Sequence, residues 1–127
     1  VLEHIDDPFK SLQAMHALLK PGGIILHRID FRAHISYIEE KDVLNMLRYS
    51  PWIYENLVKF QGGPNRYRVG AFQKAAEMSN FHHIITEPVM MLSEEELTKI
   101  RPQLAEPFRD MSQEDLRTLI AYIFAQK

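Results

Sequence analysis

The sequence predicts an α/β domain built on a parallel sheet, and three observations carry that expectation. Apolar, strand-like runs bracket an amphipathic segment within the first thirty residues. A Pro-Gly-Gly stop divides that segment from the second run. The second run is nearly continuous in branched apolar residues, the pattern of a strand covered on both faces.

Each element follows from local chemistry. The chain opens at Val1 in the middle of an apolar run, so the expectation at 1–5 is the end of a strand cut short, with part of the protein upstream. Asp6, Asp7 and Pro8 then suit a helix N-terminus, where unpaired amides and the dipole favour acids and a fixed φ. The helix should begin near Pro8 and bury Phe9, Leu12, Met15, Leu18 and Leu19, with Lys10, Gln13 and His16 on the wet side. Lys20 complements its last carbonyls, Pro21 cannot continue it, and Gly22 or Gly23 supplies the left-handed residue that ends it. Ile24, Ile25, Leu26 and Ile29 form the next strand, interrupted by His27 and Arg28. Strand, crossover helix and strand in one sheet run parallel, so the segments after Glu3 and after Ile29 should share one sheet edge, where ligands of such sheets bind.

Residues 35–59 read as one or two helices, with Ile38, Val43, Leu44 and Leu47 before Pro51 and Trp52, Ile53 and Leu57 after it. Gln61, Gly62, Gly63, Pro64 and Asn65 are turn chemistry. A helix over 69–79 carries Phe72, Ala75, Ala76 and Met78, and Ile84, Ile85 and Val89 mark a strand that Pro88 assigns to an edge or a strand end. Ser93 and Glu96 have capping-box spacing ahead of Leu97 and Ile100. The segment 118–126 fits either a helix continued from a Ser112 cap or a compact strand.

Composition narrows the function classes. The 127 residues, 46% apolar and 25% charged, suffice for one core. A net charge of −2 gives no broad basic field, so nucleic-acid binding is not favoured. The absence of Cys excludes disulfides and thiolate zinc sites and agrees with a reducing, cytoplasmic setting. No apolar run reaches membrane-spanning length.

At the level of motifs the chain resembles a family. Val1-Leu2-Glu3-His4-Ile5, the Leu-Lys-Pro-Gly-Gly at 19–23 and the following strand look like the second half of a class I S-adenosylmethionine-dependent methyltransferase. Asp30-Phe31-Arg32-Ala33-His34, Asn65-Arg66-Tyr67-Arg68 and Ser79-Asn80-Phe81 are similar to later elements of one branch of it. Two positions depart from the family's usual residues, Ala17 where Arg is usual and Asn80 where Gly is. The resemblance implies a partial Rossmann-like sheet of parallel strands with a C-terminal antiparallel strand, residues 1–127 being the C-terminal part of one domain. It implies a helical, lid-like insertion over 35–60, and it favours the strand reading of 118–126. None of the five glycines forms the family's cofactor loop, which is expected before Val1. The implied activity is methyl transfer from S-adenosylmethionine to an unidentified acceptor. Glu3, His4 and Ile5 are its implied cofactor contacts, and Asp30, Arg32, Asn65 and Arg66 its implied substrate contacts.

Methyl transfer from a sulfonium needs alignment and, for a protonated nucleophile, a general base. His34 and His4, on loops expected to share the ligand edge with Glu3, Asp6 and Asp30 nearby, are the catalytic candidates. The plainer alternative is that His4 caps the helix or bonds backbone and that Asp30 and Arg32 form a local ion pair. His82 and His83 should alternate sides of one strand, and no metal site is expected. Competing readings are a catalytically inactive interaction or dimerisation module and a self-sufficient binding protein that associates through an open sheet edge.

Overall fold

The computed structural model describes residues 1–34 and 42–127. Helix α1 (Pro8–Leu18) starts with Pro8 at its first position, and the Asp7 carboxylate accepts from the Lys10 amide at 3.0 Å. Its buried side, Pro8 and Leu12 with Phe9, Met15 and Leu19 alongside, packs into the core, whereas Leu18 is exposed. The left-handed residue after it is Gly22, at φ 75°. The cation on the last turn comes from the far end of the chain, because Lys127 Nζ donates to the Leu19 carbonyl at 2.8 Å while Lys20 stays exposed.

Strands β1 (Ile24–Asp30), β2 (His82–Met91) and β3 (Thr118–Gln126) form one sheet in the order β1-β3-β2. Both ladders are antiparallel, with Ile25 opposite Ala125 and Ile29 opposite Ala121 on one side of β3, and Ile85 opposite Phe124 on the other. This corrects the expected parallel, partial Rossmann-like sheet, since no pair of strands among the described residues is parallel. Two local causes are visible. Residues Leu2–His4 form a 3-10 turn rather than a strand end, and their backbone is satisfied by that turn and by Asn65 instead of a ladder. Strand β1 is also covered on one face only: Ile25 and Ile29 are buried, but Ile24 and Leu26 are 54% and 62% exposed. A continuous apolar run therefore did not signal burial on both faces.

Between β1 and β3 lie short helical pieces. A 3-10 turn at Asn45–Leu47 precedes α2 (Pro51–Ile53), which Ser50 caps and which runs into a π turn at Tyr54–Val58. The part of the expected insertion from 35 to 41, with Ile38, lies outside the described residues. Helix α3 (Val69–Met78) buries Val69, Phe72, Ala75 and Ala76, and Asn80 follows it at φ 62°. Pro88 lies in β2, an edge strand as its missing amide requires. Helix α4 (Glu94–Ile100) starts on the Ser93–Glu96 capping box. It is followed by α5 (Glu106–Arg109) and α6 (Gln113–Arg117), the latter capped by Ser112. The final segment then becomes strand β3, so the Ser112 cap and the strand coexist.

Two cores result. The first joins α1, α3 and the covered sheet face through Leu12, Ile25, Ile29, Phe31, Phe72 and Ile123. The second gathers Leu44, Leu47, Tyr54, Leu97, Leu104 and Leu116 from the short helical pieces.

Candidate functional site

Two loops meet beyond the end of β1. Strand β1 leaves the sheet at Asp30, where the Phe31 amide donates to the Leu119 carbonyl at 2.8 Å and the Phe31 carbonyl accepts from Arg68 Nη1 at 2.6 Å. Pinned on both sides of Phe31, the loop places Asp30, Arg32 and His34 together. The turn at Leu2–His4 supplies the other half, and the His4 and His34 rings stand 5.1 Å apart, tilted by 51°.

Hydrogen bonding sets the tautomer of a neutral His4. Its Nδ1 lies 2.8 Å from the Gly62 carbonyl, which can only accept, so Nδ1 carries the proton. In the neutral ring, Nε2 is then the basic nitrogen, 3.9 Å from Glu3 Oε1. The Gly62 carbonyl is presented by a turn that needs glycine, with φ 76° at Gly62 and the Gly63 amide donating to Phe60 at 2.8 Å.

Asp30 is held mainly by Arg32. Nε donates to Oδ1 at 2.9 Å and Nη2 to Oδ2 at 2.6 Å, with the Arg32 amide on Oδ1 at 3.1 Å. Burial pushes the Asp30 carboxyl up, but these bonds outweigh it and hold the group below its ordinary value. His34 Nε2 is 3.8 Å from Asp30 Oδ1, beyond hydrogen-bond distance and an ion pair only when the ring is protonated.

Asn65 is the scaffold beneath. Its amide donates to the Glu3 carbonyl at 2.5 Å, and Nδ2 donates to Leu2 at 2.9 Å and Ile5 at 2.8 Å. Its Oδ1 accepts from the Tyr67 amide at 3.1 Å, so both Nδ2 hydrogens are used in shaping the turn that carries His4. Ile5 is half-buried against the first core. Arg66 turns instead to the second core, over the Tyr54 ring at 4.3 Å and the Phe108 ring at 4.7 Å. The structure thus brings together Glu3, His4, Asp30, Arg32 and His34, underpins them with Asn65, and separates Arg66 from them.

Two features escaped the sequence reading. Arg68, 1% exposed, spends its guanidinium on the carbonyls of Phe31, Asp115 and Thr118, and burial lowers its pKa to about 10 against the attraction of Asp115 and Asp30. Its place beside Arg66 in the Asn-Arg-Tyr-Arg run was the available signal. The Gly62 carbonyl as partner of His4 had none, since 58 residues separate the two. Among the described residues no group of three His, Asp or Glu is arranged to hold a metal ion, and no helix is long and apolar enough to cross a membrane. No protein-family model matches the chain, and no curated protein matches it.

Proposed function

We propose that this chain takes part in S-adenosylmethionine-dependent methyl transfer, with His4 and His34 as the proton-accepting pair. The observation that carries the reading is the His4 imidazole, whose Nδ1 proton is committed to a backbone carbonyl and whose Nε2 is left basic beside a second histidine. When bound, the cofactor supplies an electrophilic methyl group on a positively charged sulfur. The donor set fits such a group on one wall. Glu3, with its side chain 12% exposed, provides negative charge next to His4, and Ile5 provides apolar surface. Asp30, fixed by Arg32, orients His34 electrostatically, and His34 or His4 takes the proton from an acceptor hydroxyl or amine.

An inactive interaction module is the second reading. The uncovered sheet face favours it, since Leu26, Ile85 and Tyr122 are 62%, 58% and 41% exposed on adjoining strands.

The test is calorimetric titration of S-adenosylmethionine into the protein expressed from its complete gene, followed by an assay of S-adenosylhomocysteine release over a panel of alcohols, sugars, amines and peptides. Cofactor binding is expected, with His34→Gln retaining it while turnover falls about a hundredfold, the usual scale for losing a general base. Absence of cofactor binding sinks the proposal and leaves the interaction reading.

A further inference from the structure

A cavity of about 320 Å³ lies beside the second core, lined by Arg66, Lys59, Tyr67, Phe108, Met111 and Asp115 among others. Neither His4 nor His34 lines it. Its size is within the range of small-molecule sites, so the question is which chemistry its walls leave unanswered.

The charges on those walls are mostly consumed. Lys59 Nζ donates to Asp6 at 2.7 Å and to Glu55 at 3.3 Å, closing a local triad. Asp115 accepts from the Gly70 amide at 2.7 Å on Oδ1 and from Ser112 Oγ at 3.0 Å on Oδ2. The nitrogens of Arg68 are satisfied by three carbonyls.

Arg66 is different. Its Nη1 donates to the Tyr49 carbonyl at 2.6 Å and approaches that of Met46 at 3.4 Å. The rings of Tyr54 and Phe108 pack on the guanidinium and set its plane. Nε and Nη2 have no hydrogen-bond partner, and no carboxylate lies within 4.0 Å, among the described residues. That free edge is the parallel pair of N–H groups that matches a carboxylate side-on. Burial also lowers the pKa of this guanidinium despite Tyr54 and Glu55, as expected of a cation short of compensation.

We infer that this cavity binds a small organic carboxylate with an apolar body. The acid group pairs with the Nε and Nη2 edge of Arg66, and the body lies against Phe108, Met111 and Ala71. A bare anion satisfies the arginine but leaves the apolar wall wet, and a neutral analogue does the reverse. The inference stands apart from the histidine pair, since neither histidine lines the cavity and no proton transfer is asked of its walls.

The experiment is calorimetric titration of the protein with 3-phenylpropionate, its neutral amide and inorganic phosphate. Phenylpropionate is expected to bind about tenfold or more tighter than either, one charge-assisted contact being worth that much. Arg66→Lys keeps the charge but loses the fork and should weaken binding about tenfold. Because Arg66 also holds two carbonyls, Ala71→Leu serves as a second variant that fills the cavity with Arg66 intact and should block binding, with circular dichroism checking the fold of both. Equal binding of acid and amide, equal binding of phosphate, or phenylpropionate affinity unchanged in folded Ala71→Leu each overturns the proposal, as does no binding at all. Cofactor titration is a separate measurement, so failure here leaves the methyl-transfer reading standing.

Discussion

The two cores of this protein are assembled by different means. The first packs regular elements, α1, α3 and a three-stranded sheet, through side chains at helical and alternating spacing. The second is made of pieces of three to seven residues, 3-10, π and α turns that no intrinsic propensity would sustain alone. Its short helices rely on caps, at Ser50, Ser93 and Ser112, and on shared burial. The histidine pair stands at the end of a strand of the first core, and the arginine cavity opens beside the second. The comparison suggests a rigid support for one and a more locally unstable support for the other.

Arg68 joins the two cores. It reaches Phe31 of the first and the backbone next to Leu116 and Leu119 of the second. Arg68→Met is therefore expected to have the largest effect, about 4 kcal/mol or more, since bonds from a charged donor are worth about 1.5 kcal/mol or more each and three buried carbonyls lose theirs. Chemical denaturation checks the size. Equal loss of hydrogen-exchange protection in both cores would support the joining role, and loss confined to one would refute it.

The next contrast is Leu12→Ala against Leu104→Ala, one fully buried leucine from each core. Each should cost about 3 kcal/mol in a well-packed site. Leu12→Ala should lower the stability of the whole molecule, while Leu104→Ala should raise exchange mainly in the segments from 44 to 58 and 94 to 117. Identical exchange patterns would mean the two cores unfold as one unit.

The smallest expected effect is acid-dependent. The Asp30 carboxyl is depressed in the folded state, so the stabilisation it gives is present above its unfolded value of 3.8 and is lost as pH falls through the lower folded value. Thermal melts of Asp30→Asn should lose part of the acid-limb slope and leave the neutral-pH second core unchanged. An unaltered acid limb would show that Arg32 contributes nothing through this carboxylate.

How much of this was legible depends on distance along the chain. Pro8 as the helix start and the Ser93–Glu96 box are legible because each depends on neighbours within a few residues, and Pro88 takes the edge, one of the two places its missing amide allowed. His4 and His34 do approach each other, but not as loops leaving two parallel strands, since the turn at Leu2–His4 belongs to no strand of the sheet. Arg66 and Asn65 were expected beside one another at a substrate. Both line the cavity, but the Asn65 amide is spent on holding the turn at Leu2–Ile5, whereas Arg66 packs its guanidinium between Tyr54 and Phe108.

The sequence by itself determined where α1, α3 and α4 begin and stop and that the segments around 24–29 and 84–89 extend. Local sterics, capping and side-chain spacing suffice for those. Only the tertiary structure decided that β3 lies between β1 and β2 and pairs antiparallel with both. It alone committed Gly62 to His4, and it alone left one edge of Arg66 without a partner among the described residues. These outcomes depend on which distant backbone groups find each other once apolar surfaces are buried, a competition that no local pattern encodes.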